Sequence, residues 1–235
     1  MAKISTDGKY PKRIGNYIIY TLNDEKIIRN VSGFTSEGMK NSPKYALSRM
    51  NASEFGRLSS FCKLFRMALG ELLPKTNKLL VVNNFTKIMR QVQLCDPIHG
   101  KGERNLATAL QTEEGRAQLR GYNFNADGTM LLAVALVENC VRFKVEQMVY
   151  PDGVTYVGLR VSVLEFDFES GNNALVSGDW FFNKTPLDAT EYALAVPEVA
   201  GCFGMVFTLL EVGFFSGADS LVSVGGGNSL IIVEC

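Results

Sequence analysis

The feature that most constrains the fold is a change of hydrophobic period near Gly121. Upstream, Phe55, Leu58, Cys62, Phe65 and Leu69 recur at steps of three and four, the period of one helix face. Phe61, Leu64, Ala68 and Leu72 widen that stripe. Downstream, apolar segments are shorter and are separated by turn signals such as PDG, SGNN and SGAD. Strands are expected near 129–137, 141–149, 155–168, 174–182, 189–196, 202–214 and 228–233. There is no alternation of strand and helix, so a doubly wound nucleotide fold is not expected. Strands at this spacing point to an antiparallel β-sandwich or partly closed barrel of about seven strands.

The helical part has its own punctuation. Ser42-Pro43 resembles a helix start and Pro74 follows the end of the first long run. Asn51 and Glu54, three apart, are read as a polar cap that divides this run into two helices. Phe85, Ile88, Met89 and Val92 set a second helix. Leu106, Ala109 and Leu110 set a third, and Thr112 is placed to cap a short turn after it. Ahead of all these, 16–22 and 26–31 alternate as two strands around the polar turn NDEK. Both faces of this hairpin are largely apolar, so it is expected to pack, with only the tip exposed. The fold class is therefore α+β: an N-terminal hairpin and helical region (1–120) followed by an antiparallel β-sandwich (121–235).

The formal net charge is zero but its distribution is not even. Residues 1–125 hold twenty Lys/Arg against ten Asp/Glu, and 126–235 hold four against fourteen. Such a split permits attraction between copies, or to a charged partner, through complementary fields. Arg49, Arg57, Lys63, Arg66, Lys75, Lys78, Lys87 and Arg90 recur through the helices. Of these, Arg49, Arg57, Lys63, Arg66, Lys87 and Arg90 are the candidate interaction residues. Nucleic-acid binders concentrate such groups on one face. Glu54 and Glu71 interrupt the field, and no helix-turn-helix, zinc-finger or RNP motif accompanies it.

Several kinds of chemistry lack their residues. The five cysteines are widely spaced, with no CxxC, and read as small buried groups in a reducing compartment. The start carries no secretory signal, and no run of 18 apolar residues suggests a membrane-spanning segment. A cytoplasmic location is expected. His99 is the single histidine; with Cys95 and Asp96 nearby it imitates a thiol–base pair, but a surface role is the simpler reading. Asn123, Asn125, Asp127 and Gly128 match half of a calcium loop, yet the twelfth position is Val134 rather than an acid. The glycines of SVGGGNS lack the lysine of a phosphate loop and lead into a strand.

Glu165, Asp167 and Glu169 alternate with Phe166 and Phe168, which puts three carboxylates on one face of a strand. Paired carboxylates across a cleft can do acid–base work, but no second group across a cleft is identifiable. Trp180, the single tryptophan, is a candidate platform beside Glu165, Asp167 or Asp179. No catalytic, cofactor-binding or metal-binding residue is assigned.

The stretch GNYIIYTLNDEKIIRN…SPKYALSRMNASEFGRLSSFCKLFRMAL resembles the start of uncharacterised proteins encoded by Bacteroidetes. The likeness is a Gly-led hairpin ending in Arg and then an Arg/Phe-bearing helix, here Gly15, Arg29, Arg49, Phe55 and Phe61. The resemblance covers about a quarter of the chain. It implies a bacterial protein, cytoplasmic or of a mobile element, and transfers no activity. The expected function is noncatalytic: a structural or macromolecular-interaction protein that self-associates or binds a protein partner. The alternatives are a nucleic-acid binder using the basic helices and a carbohydrate-binding or hydrolytic β-sandwich.

Overall fold

The alternating segments around the NDEK turn form strands, as their period requires. The computed structural model describes the chain except residues 1, 5–10, 23, 32–35, 76, 126–129, 188–190, 200–202, 218–221 and 224–227. Strands β1 (Ala2–Ile4), β2 (Arg13–Ile14), β3 (Tyr17–Leu22) and β4 (Glu25–Asn30) make an antiparallel sheet in the order β1-β4-β3-β2. Leu22 pairs with Glu25, so the β3–β4 turn has two residues, and Asp24 takes the positive φ that such a turn demands. Each face of the hairpin buries one isoleucine, Ile19 on one and Ile27 on the other. Tyr17 and Leu22 stay exposed. The expectation that only the tip is exposed is therefore corrected, because the packing reaches one residue per face.

Helix α1 (Ser36–Asn41) follows, then a 3-10 turn over Pro43–Tyr45 and the long helix α2 (Ala46–Leu69). Arg49 Nη1 donates to the carbonyls of Met39 and Ser42, both at 2.9 Å, and fastens the end of α1 and the turn after it. The chain divides into two compact units, Met1–Arg49 and Met50–Cys235, each described here by itself.

In the second unit α2 runs unbroken through Asn51 and Glu54. Glu54 is not a cap; its carboxylate is buried in ion pairs. Gly70, at φ 52, ends α2 in the left-handed conformation that closes many helices, and Pro74 follows. Helix α3 (Lys78–Leu94) begins at Asn77, whose Oδ1 accepts from the N–H of Leu79 and Leu80. Helix α4 (Leu106–Leu110) is capped by Asn105. Helix α5 (Glu113–Ala117) is capped by Thr112, whose Oγ1 accepts from Gly115 N–H at 3.0 Å.

The strands that follow are β5 (Met130–Val137), β6 (Cys140–Met148), β7 (Tyr156–Phe166), β8 (Asn173–Ser177), β9 (Phe181–Lys184), β10 (Glu191–Ala195), β11 (Met205–Ser216), β12 (Val222–Ser223) and β13 (Ser229–Glu234). They agree closely with the expected segments. The differences are that 174–182 splits into β8 and β9, and that a two-residue β12 is added. Every pairing is antiparallel. Strands β10-β6-β5 form one sheet. The other sheet runs β12-β11-β7-β8, with β13 also pairing β11 and β9 also pairing β7.

Two cores lie on opposite faces of the larger sheet. Val157, Leu159, Val161, Leu210, Val212 and Phe214 face Val141, Phe143 and Tyr192 of the smaller sheet, making the sandwich. Leu164, Phe166, Phe207, Leu209, Leu230 and Ile232 pack instead with Leu58, Phe65, Phe85 and Met89 of the helices. Phe65 sits at the centre of this second core, stacked on Phe85 at 5.2 Å and edge-on to Phe207 at 4.9 Å. The layers are thus small sheet, large sheet, helices. Burial on both faces explains why β11 and β13 read as nearly continuous apolar runs.

Candidate functional site

The basic helical residues are the first candidates, and the fold uses them in different ways. Arg49 belongs to the first unit and holds backbone carbonyls there. Lys63 and Lys87 are exposed. Arg57 and Arg90 are brought together around one buried acid. Glu54 is fully buried and lies 3.0 Å from Arg90 Nη1 and 3.6 Å from Arg104 Nη1, and its Oε2 accepts from Gly102 N–H at 3.0 Å. Arg57 Nη2 donates to the carbonyl of the same Gly102 at 2.6 Å. Burial would raise the Glu54 pKa, but the Gly102 N–H and the two guanidinium groups outweigh it and hold the carboxyl below its ordinary value. Gln93 completes the knot, accepting from Arg90 at 2.5 Å and donating to Arg104 O at 3.1 Å. Its effect is to clamp loop 95–105 against α2 and α3.

Asp96 organises the same loop from its other end. Its carboxylate accepts from the N–H groups of Ile98, His99 and Asn105, and His99 Nδ1 lies 2.8 Å from Oδ2. Burial opposes ionisation here too, yet these hydrogen bonds bring the pKa down to about 2. Cys95 forms no pair with His99; its thiol donates to Gln91 O at 3.5 Å, and burial raises its pKa. The thiol–base imitation fails because the histidine is already turned to Asp96.

The run of acids after β7 is also rearranged. Glu165 is buried and accepts from the N–H of Phe203 and, at 2.9 Å, of Gly204. The strand ends at Phe166, so Asp167 and Glu169 do not share a strand face with Glu165. Asp167 instead closes a turn, accepting from Glu169 N–H at 2.8 Å and from Ser170 Oγ at 2.5 Å. The expected row of three carboxylates is corrected: an Asp whose side chain satisfies the next backbone donors favours a turn over another strand residue. Asn123 and Asn125 also serve the backbone and one another, and Asn125 Nδ2 donates to Asn228 O at 2.9 Å. Asp127, Gly128 and the three glycines of SVGGGNS lie outside the described residues. Among the described residues no three His, Cys, Asp or Glu side chains gather to hold a metal, and no helix is long and apolar enough to cross a membrane.

A further cluster occupies the end of the large sheet away from the helical core. Gly158 of β7 lies opposite Gly213 of β11. Rings close over the space the two glycines leave: Phe182 and Phe215 meet at 5.2 Å, and Trp180 and Phe215 at 5.5 Å. Arg160, next on the same strand face, places its guanidinium 4.4 Å from the Trp180 ring and pairs with Glu211 at 2.7 Å. Burial raises the Glu211 pKa against the pull of Arg160. Phe182 keeps 37% of its surface, and Trp180, Phe215 and Arg160 are half-buried. With Arg160 over its ring and Phe182 stacked at 6.1 Å, Trp180 offers little free face for a sugar. Asp179 is exposed beside it.

Two cavities flank α2. One, of about 300 Å³, lies between α2 and loop 95–105 and balances Arg57 and Arg104 against Glu103 and Glu169, with Phe61 and Phe168 in its wall. The other lies where α2 turns into α3 and contains Arg66. The six expected basic residues therefore gather only as the Arg57–Arg90 pair, while Arg66 stands at a separate cavity.

Sequence reasoning missed the glycine-seated rings, although glycines inside two strand patterns are a usable signal of close approach. It also missed Glu54 and Arg104, whose partners are distant in sequence. Comparison with family models, with curated proteins and with solved structures finds no match to this chain.

Proposed function

We propose that this chain is a noncatalytic macromolecular-interaction protein whose aromatic–arginine patch, Trp180, Phe182, Phe215 and Arg160, meets a protein surface, a second copy of the chain being the first partner to test. The observation that carries the reading is the patch itself. Three rings and a guanidinium, all partly exposed, gather from β7 (Arg160), β9 (Phe182), β11 (Phe215) and the segment before β9 (Trp180). Trp and Arg dominate the energetics of protein interfaces, and Phe is enriched at them; the rings bury large areas with few rotamers to fix, and Arg160 is already held by Glu211. Rings and a guanidinium already packed against one another lose little further freedom on docking. The candidate acids support the noncatalytic side of the reading: Glu165, Asp167, Asp96 and Glu54 each accept from at least one backbone N–H group. Arg57 and Arg90 are committed to Gly102 and Glu54, which weakens a nucleic-acid reading.

Light scattering coupled to size exclusion tests it across rising protein concentration. The expected result is a mass that grows with concentration and a Phe182→Ser variant that stays monomeric with the far-UV spectrum of the wild type. A wild-type monomer throughout, together with the same partners cross-linked in host cells by wild type and Phe182→Ser, would overturn it.

A further inference from the structure

Arg66 is a half-buried cation with no ion pair among the described residues. Its Nη1 is shielded from solvent and has no hydrogen-bond partner among the described residues. Its charge acts on the Cys62 thiol and the Tyr122 hydroxyl. Burial pushes these up to about 11 and about 12, so both are neutral near pH 7. A guanidinium nitrogen shielded from water and left without a hydrogen-bond partner is costly. On its outer side Arg66 lines a cavity of about 320 Å³ at the junction of α2 and α3.

The cavity has two chemical parts. Leu73, Pro74 and Val81 give it an apolar wall, while Lys75 and Lys78 stand exposed at its edge. Glu71 is present but exposed, and it takes no hydrogen bond from the buried Nη1. The free N–H groups at the start of α3 are partly used already, since Asn77 accepts from Leu79 and Leu80. Recognition of an anion here falls on side chains, with Arg66 as the anchor.

We propose that this cavity binds a small amphipathic oxyanion: an apolar body against Leu73, Pro74 and Val81, and a carboxylate or phosphate head on Arg66, with Lys75 and Lys78 beside it. The volume is at the low end of the roughly 300–1,000 Å³ range of ligand pockets, which suits a short acyl or aryl body and excludes a dinucleotide. A guanidinium binds planar oxyanions through two parallel hydrogen bonds, and an anion in the cavity would bring a counter-charge to Arg66, which has no ion pair among the described residues. This site is separate from the aromatic patch and stands whether or not that patch binds a protein.

The test is calorimetric titration of the full chain with octanoate, octyl phosphate and neutral octanamide. At least one anion is expected to bind saturably, and the one that binds names the head group; octanamide is expected to give no saturable heat. Arg66→Met should lower the affinity about tenfold or more while melting no lower than wild type, since it removes a half-buried charge whose Nη1 has no hydrogen-bond partner among the described residues. Lys75→Gln/Lys78→Gln changes exposed residues alone and should weaken binding severalfold; it carries the test if Arg66→Met does not fold. Absence of saturable binding by both anions, equal binding of octanamide, or unchanged affinity in the variants would overturn the proposal.

Discussion

Gly158 lies directly opposite Gly213 across the β7–β11 ladder, and a Cβ on Gly158 would stand 2.6 Å from Phe215 Cε2 and 2.9 Å from Phe182 Cε1. The two absent side chains are what let the rings come down onto the strands. Gly158→Ala is therefore expected to cost about 1–3 kcal/mol through overpacking. Because Trp180 is the single tryptophan, its emission reports the patch, and it should shift to the red in the variant. Adding Phe215→Ala in the Gly158→Ala background should recover part of the lost stability. Denaturant melts checking these variants would sink the seating argument if Gly158→Ala proved neutral.

The helix and strand elements were legible because burial in them is periodic and local. Phe65 and Leu69 mark the inner face of α2 from sequence spacing alone. The apolar runs of β11 and β13 fell within the expected strands 202–214 and 228–233; their burial on both faces is a property of the fold. That Phe65 meets Phe166 and Phe207 was not legible: the contact joins segments a hundred or more residues apart, and apolar spacing says which residues are buried without saying against what. The change of period near Gly121 marks where helices give way to strands, yet both sides of it contribute to one core. Among the candidate sites, Arg66 was named for its charge. That its Nη1 finds no hydrogen-bond partner among the described residues is a three-dimensional property, and so is the knot that consumes Arg57 and Arg90.

That knot makes a prediction of its own. Glu54 is fully buried between two guanidinium groups, while the Arg90 and Arg104 side chains keep 29% and 24% of their surface. Losing the arginine side should hurt more than losing the acid, because the exposed ends of Arg90 and Arg104 can recruit water and Glu54 cannot. Arg90→Leu is expected to cost about 2–4 kcal/mol, with the partial exposure of Arg90 placing it at or below the usual cost of breaking a buried pair. Glu54→Leu should cost less, and Glu54→Leu/Arg90→Leu should be more stable than Arg90→Leu alone. A double-mutant cycle in urea measures the coupling; simple additivity would contradict it.

Asp96 ties acid sensitivity to the loop that the knot clamps. Its folded pKa, about 2, is below its ordinary value of 3.8. A depressed carboxyl stabilises the fold above the ordinary pKa, and the contribution disappears as pH falls from that value toward the folded one. Asp96→Asn should therefore cost about 1–2 kcal/mol at pH 7, a size discounted for the loop's position near solvent. The gap between wild type and variant should shrink below about pH 4. Chemical denaturation at several pH values checks the sign, and a gap that widened with acid would contradict the assignment.

The β5–β6 turn stores a smaller and simpler strain. Val137 pairs with Cys140, leaving Glu138 and Asn139 as a two-residue turn with φ 49 and φ 60. Two successive left-handed residues define the turn that suits a twisted hairpin, and its preferred sequence is Asn-Gly. Asn139 tolerates this conformation; Glu138, without a short polar side chain to support it, fits less well. Glu138→Asn together with Asn139→Gly should stabilise the second unit by about 0.5–1.5 kcal/mol, offset in part by the entropy of the added glycine. Glu138→Val should destabilise it, since a β-branched residue resists positive φ. Thermal melts of the three proteins give the order, and a Val variant at least as stable as wild type would show that the turn does not hold this geometry in solution.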